Sequence, residues 1–343
     1  MEIQSRDLQI IKISLVIMTS VVVLFVLRLF SFVFIPLFLA LLISMLLLPV
    51  MHWFTRKKIP NWLGITIIIL MSVLSIWVAF KIFQNTAIEL YQSKDDIIQS
   101  ANAKINPLIK DVRQNLGMSG EDSGARVNIE RFIEQNSGSI LSKTGTFISA
   151  FFMTVFFLIL LLTGANLFEV YIARISNDDK GWIQIFRNII DALNGFIRVK
   201  IFVSLLTGIA FSIIVMSFGV KFALFWGFMA FLLNFVQLIG SYVITIILIL
   251  FGFVEIDVYS NLIIFSSLLI LTQVIIGGVL EPILMGKSFK MNTITILLSL
   301  AIWGFIFGVA GLVLAIPITV FLKMVLERIP MTENIAKMMS RIN

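Results

Sequence analysis

Long uncharged apolar runs dominate the chain, and polar or mixed stretches separate them. A membrane-crossing helix needs about 20 mostly apolar residues, so run length reads as a number of spans. The first run, 10–51, suffices for two, with the turn near Arg28, Ser31 and Pro36. Pro60 opens a third span over 62–83. From 84 to 143 charges of both signs appear, and Ile97, Ala101, Ile105, Leu108 and Val112 recur every three or four positions. That spacing predicts an amphipathic helix, kinked at Pro107. A Gly/Ser-rich link over 117–124 and a second amphipathic stretch over 128–140 follow. A fourth span covers 145–162. An interfacial helix over 169–198 carries Trp182, Ile185, Ile189 and Leu193 on one stripe. A fifth span follows over 201–218.

Two blocks, 222–253 and 292–326, are too long for one span and too short for two with a loop. Each has breakers near its middle: Asn234, Gln237, Gly240 and Ser241 in the first, Gly304, Gly308 and Gly311 in the second. An ordinary sixth span, 259–280, lies between them. Charge decides how the blocks sit. With Arg6 and Lys12 inside, Arg56, Lys57 and Lys58 return inside, 84–143 lies outside, and Arg174, Lys180 and Arg187 lie inside. If 222–253 crossed once, Glu255 and Asp257 would face inside and Lys287 and Lys290 outside. A hairpin returning to its own side reverses both and obeys the positive-inside rule. The same reasoning makes 292–326 a hairpin entered from inside, leaving Lys323, Arg328, Lys337 and Arg341 cytoplasmic.

The expected fold is therefore an all-α polytopic membrane protein. It has about six transmembrane helices, two re-entrant helical hairpins and an extracytoplasmic helical module. Span five with the first hairpin and span six with the second have opposite orientations, a candidate inverted repeat. Asn234-Phe235-Val236 before Gly240 and Gly304-Phe305-Ile306 before Gly308 are its sequence support. The expected divisions are a scaffold over 1–83, the outer module over 84–143, and the fourth span with the interfacial helix over 144–200. A transport core over 201–326 and a cytoplasmic tail over 327–343 complete them. Both termini are expected in the cytoplasm, and the membrane to be the bacterial inner membrane.

Composition agrees with this class. Apolar residues make up 59% and charged residues 13%, against about 45–50% and 25% in soluble chains. The net charge of +7 would suggest nucleic acid in a soluble protein. Here the cations flank apolar runs, so the expected partners are membrane lipid and a small-molecule or ion substrate, with no nucleic acid. The absence of cysteine excludes disulfides and thiolate metal sites. The single histidine, His52, has no second histidine to ligate with, so no metal and no cofactor is expected. The first apolar run is too long for a cleaved signal and lacks a small-residue cleavage site, and it reads as a retained helix.

Irregular backbone inside a membrane must be buried in protein or line a wet cavity. The hairpin tips are thus the candidate solute path, with Asn234, Gln237, Ser241 and Gln273 as polar contacts. Gly240, Gly304, Gly308 and Gly311 would let the backbone turn, and Pro317 would bend the last arm. The Gly304–Gly308 spacing equally suits close helix packing. Glu281 is a candidate gating or coupling acid; the alternative is an interfacial glutamate paired with Arg198, Lys200 or Lys287. Gly286-Lys287-Ser288 resembles the end of a phosphate-binding loop, but Glu281 stands where its first glycine is required. No metalloprotease or nucleophile-elbow motif is present, so the chain is not expected to be an enzyme.

The runs 218–240, 280–288 and 307–317 resemble, in order and spacing, the autoinducer-2 exporter family of bacterial membrane proteins. The segments 196–200 and Ile35-Pro36 match as well. The sequence departs from the family pattern at Gln237 and Ser241, where proline is usual, and at Ile276 and Gly278. The resemblance implies a secondary transporter or facilitator exporting a small signalling molecule, autoinducer-2 in some members. It also implies homo-oligomeric assembly, with a pentamer as the candidate count. Other members resemble sodium(lithium)/proton antiporters, which is the alternative function. A structural membrane protein without transport is the third.

Overall fold

The computed structural model describes residues 2–115, 149–164, 180–237, 239–285, 291–327 and 332–340. Among them every regular element is helical. They are α1 (Glu2–Leu29), α2 (Ser31–Arg56), α3 (Asn61–Gln92), α4 (Lys94–Asn115), α5 (Ser149–Gly164) and α6 (Lys180–Ser217). Next come α7 (Ala223–Leu233), α8 (Gly240–Glu255) and α9 (Tyr259–Gln273). A π-helical stretch, Val274–Leu280, joins α9 to α10 (Glu281–Met285), and α11 (Thr293–Leu326) and α12 (Glu333–Met339) close the chain. The expected link over 117–124 and the amphipathic stretch over 128–140 lie outside the described residues, as do Lys287 and Lys290.

Among the described residues four helices are long and apolar enough to cross a membrane: Trp62–Thr86, Ile190–Ser217, Tyr259–Met285 and Thr293–Leu326. Segments of α1 and α2 pass the same test together and meet at 87° across Phe30, where the sequence places a turn. Three boundaries differ from expectation. α3 continues past 83 to Gln92. Residues 180–198 of the expected interfacial stretch and the fifth span form one helix, α6, because no strong breaker separates them, while 169–179 lie outside the described residues. The sixth span, expected over 259–280, runs on to Met285. Pro282 crowds the carbonyl one turn back, and the widened π-helical backbone just before it relieves that clash.

The chain divides into two compact units. The first comprises Met1–Ile65, Ile148–Ile197 and Lys287–Asn343; the second comprises Thr66–Phe147 and Arg198–Gly286. In the first, α1 and α2 pack on α11, with the Phe38 and Phe307 rings 6.1 Å apart. The Arg28 guanidinium lies 4.3 Å from the Phe305 ring centre. That contact gives a cation in an apolar run a compensating partner. Asn292 caps α11 by accepting from the Ile294 amide at 3.1 Å. The C-terminal α12 docks at that end, where the Asn292 amide donates to the Met339 carbonyl at 2.9 Å.

α11 is not one straight rod. Gly308 has φ 62 and ψ −141 inside it, a conformation in effect reserved for glycine. Trp303 Nε1 donates to Thr319 Oγ1 at 3.0 Å, although sixteen straight-helix residues would separate them by about 24 Å. The chain therefore reverses between them.

The second unit contains a similar reversal. The Lys221 amide, ahead of α7, donates to Glu255 Oε2 at the end of α8, 2.7 Å away. The Trp226 and Phe251 rings stand 5.0 Å apart, so α7 and α8 are antiparallel. The turn sits at 234–239. A Cβ on Gly240 would collide with the Leu233 carbonyl, and one on Gly311 with the Trp303 carbonyl, so both reversals need glycine for backbone contact. At the open end of the α7–α8 pair, Lys104 of α4 donates to the Val254 and Ile256 carbonyls at 3.0 and 2.8 Å. These belong to the last turn of α8 and its cap, which have no intrahelical partners, and a cation suits the negative end of the helix dipole.

Candidate functional site

In the second unit α6 has two opposite faces. Lys200, Ser204, Thr207 and Phe211 are buried, while Phe202, Leu205, Ile209 and Ile213 are at least half exposed. A soluble helix shows the reverse. Polar groups inward and apolar groups outward is the arrangement that lipid imposes. The polar groups sit at helical spacing, so they form one stripe facing the neighbouring helices.

Two buried polar links join that stripe to the rest of the unit, and a third ties α9 to α8. Asn234 Nδ2, in the turn between α7 and α8, donates to Ser204 Oγ at 3.0 Å. Gln273 Nε2, at the end of α9, donates to Ser241 Oγ in the first turn of α8 at 2.6 Å. Lys200 Nζ contacts Glu281 Oε1 at 2.6 Å, with side chains 2% and 6% exposed. Together they close a circuit from α6 to the turn, through α8 and α9 to α10, and back to α6. Close backbone approach makes the first link possible. A Cβ on Gly208 would lie 2.7 Å from the Gly227 carbonyl, and one on Gly227 would lie 2.6 Å from the Gly208 carbonyl. Ser212 Oγ donates to the Ala223 carbonyl at 2.8 Å. Gly208 and Ser212 on α6 face Ala223 and Gly227 on α7, a small-residue seam on each helix.

The circuit leaves hydrogen-bonding capacity unused. Gln237 Oε1 and Gln273 Oε1 are buried acceptors with no donor, and Trp226 Nε1 is a buried donor with no acceptor. Each unmet buried polar group costs about 1–3 kcal/mol. The Gln273 amide is held over Gly277, where a Cβ would come within 2.6 Å of Nε2. The site thus pairs a rigid polar frame with two oxygens able to accept from a bound molecule.

The structure gathers most of the sequence candidates. Asn234, Gln237, Gly240, Ser241, Gln273, Lys200 and Glu281 all lie in the second unit around the α7–α8 turn. Gly304, Gly308, Gly311 and Pro317 belong to the first unit. The backbone break there is at Gly308, and α11 stays helical across Pro317. Arg198 is exposed, and the buried partner of Glu281 is Lys200. Sequence reasoning missed Ser204 and Thr207. Their signal was present, since Lys200, Ser204 and Thr207 fall at helical spacing in an apolar run. Gly208 and Gly227 were missed as well, because the seam appears only when the two helices are set side by side. Among the described residues no group of three or more His, Asp or Glu side chains could hold a metal ion.

Residues 13–331 match the family described as AI-2E family transporter. The chain belongs to that family. It is 31% identical over 159 residues to the AI-2 transport protein TqsA of Escherichia coli K12, covering 45% of this chain and 44% of that protein. It is 30% identical over 220 residues to the putative transport protein YhhT of the same strain, covering 62% and 60%. The putative transport protein YrrI of Bacillus subtilis 168 is 29% identical over 140 residues, covering 41% and 39%. The matched regions thus span less than two thirds of these relatives' lengths. The family's description is of a transporter, and the several long apolar helices of the described residues suit a membrane protein.

Proposed function

We propose that this chain is a secondary transporter or facilitator that exports a small polar solute across the bacterial inner membrane. The proposed solute class is autoinducer-2-like signalling molecules, in line with the name of the TqsA relative. The observation that carries the reading is the polar circuit in the second unit, with the Gln237 and Gln273 side-chain oxygens buried and unpartnered at the α7–α8 turn. A hydroxyl-bearing solute would supply the missing donors. Asn234, Gln237, Ser241 and Gln273 are its proposed contacts, and Glu281 with Lys200 is the proposed gate. The chain reversals at 234–239 and at Gly308 would be the tips of two re-entrant hairpins, entered from opposite faces in an inverted repeat. With six spans and both termini cytoplasmic, that arrangement satisfies the positive-inside rule. Homo-oligomeric assembly belongs to the same reading. The phosphate-loop resemblance fails at Glu281, so the driving force would be a gradient or passive flow. Sodium(lithium)/proton antiport has less support, because the buried acid it would use is already paired with Lys200.

The test is flux in proteoliposomes against a panel of small polyols, sugars and cations. Saturable movement of a hydroxylated solute, with none in protein-free vesicles, is the expected result. Vesicles that pass none of the panel above background would refute the reading.

A further inference from the structure

The span Tyr259–Met285 carries two links of the polar circuit, Gln273 to α8 and Glu281 to α6. The two residues are eight positions apart. A regular α-helix turns by about 100° per residue, so it would set them about 80° apart round the axis. Leu280, seven positions on from Gln273, would then share its face. Glu281 would join Val274 and Gly278, which are exposed. The burial pattern differs. Phe265, Leu269, Gln273 and Ile276 are buried at helical spacing, yet the next buried residue is Glu281, five on. Val279 is 52% exposed and Leu280 only half-buried. The π-helical stretch makes the difference. The Glu281 amide donates to the carbonyl of Ile276, five residues back rather than four. A turn closed that way takes up one surplus residue. Gln273 and Glu281 are thereby placed as if seven apart, within about 20° of one face and about 10 Å along it.

We propose that the π-helical turn is a positioning device. By absorbing one residue it turns the Glu281 carboxylate, in place of the Leu280 side chain, towards Lys200. It thus brings the ion pair into line with the Gln273 amide, so that both border one path. Without that turn the carboxylate would face the outer, apolar surface, and the Lys200 ammonium would be buried against leucine. Each unpaired charge is costly in such surroundings. The ion pair therefore holds the π turn, and the π turn presents the ion pair. Pro282 favours a widened backbone ahead of it but does not dictate which residue faces inward. Calling the pair a gate and Gln273 a solute contact rests on the function proposed above. The register does not, and it is read from stability rather than flux, so either reading can fail alone.

The experiment melts the full-length protein in detergent, with Lys200 or with Lys200→Met, in three backgrounds. These are wild type, a deletion of Val279, and the exchange Leu280→Glu/Glu281→Leu. Deleting Val279 removes the surplus residue, so a plain α-helix then carries the acid inward. Lys200→Met should lower the melting temperature by about 5 °C or more in wild type and in the deletion variant, since Glu281 loses its partner in both. The exchange puts the acid where an α-helix would need it and the π turn does not. There Lys200→Met should raise the melting temperature, because it removes an ammonium buried without a partner. Deletion of Leu268, in the regular part of α9, is the control and should do far more damage than deletion of Val279. In the shortened span Pro282 again meets the carbonyl one turn back, so the Val279 deletion is also made with Pro282→Ala. Either form behaving as stated supports the proposal. Both collapsing like the Leu268 deletion overturn it. So does a deletion variant that Lys200→Met stabilises, or an exchange variant that Lys200→Met still destabilises. If the exchange does not fold in either form, the deletion pair decides alone.

Discussion

Replacement of Gly308 by alanine isolates the backbone cost of the reversal in α11. Gly308 sits at φ 62 and ψ −141 between two helical arms, and a Cβ added there would meet nothing within 4 Å. The penalty is therefore conformational, not steric. A residue with a side chain held in such a region costs about 1–3 kcal/mol. Straightening the helix is the other way out, and it would sacrifice the Trp303–Thr319 hydrogen bond, worth about 0.5–1.5 kcal/mol net. It would also separate the buried Trp303 and Thr319 side chains. Thermal melting of the purified protein should show Gly308→Ala less stable by about 1–3 kcal/mol. Spin labels on the exposed Leu297 and Leu322 report the geometry. A straight helix would hold these positions about 38 Å apart, and a reversed one within about 20 Å. The wild-type protein should give the short distance. A long wild-type distance, or a Gly308→Ala protein as stable as its parent, would refute the reasoning.

The ion pair predicts strong non-additivity. Lys200→Met or Glu281→Gln alone should destabilise by about 3–5 kcal/mol, and the double change by far less, as a double-mutant cycle from chemical denaturation would show. Equal and additive losses would mean that the pair does not couple. Lys104→Met should lower stability by about 1–2 kcal/mol by stripping the α8 terminus of its donor. Hydrogen exchange should then rise locally around 252–257. Gly277→Ala should push the Gln273 amide off Ser241, and a melting temperature unchanged from wild type would count against that link.

Much of this architecture is written in the chain at the level of run length and breaker position. The block 222–253 has to turn near Asn234 and Gly240, and it does so at 234–239. The block 292–326 has three glycines that could host a break. Only the structure selects Gly308, because the choice depends on which arm positions bring Trp303 and Thr319 together. Helix ends were less legible. A polar stretch after 83 reads as a boundary, yet nothing in it opposes helix, and α3 continues. The same holds at 198–201, where the charges read as an interface, yet Arg198 and Lys200 are good helix formers and the helix continues. Lys200 shows the limit most clearly. From sequence it is one of several cations near Glu281, and burial and geometry single it out. The π-helical stretch has no pattern of its own beyond Gly277-Gly278 and the following Pro282.

The claim on which the account rests is that the unpartnered amide oxygens of the second unit receive the solute. Once a transported solute is identified, its flux through Gln237→Leu, Gln273→Leu and the combined variant tests this directly. Stable, normally assembled variants should lose most of their flux, with the combined change abolishing it. Flux at the wild-type rate in the combined variant would contradict the account.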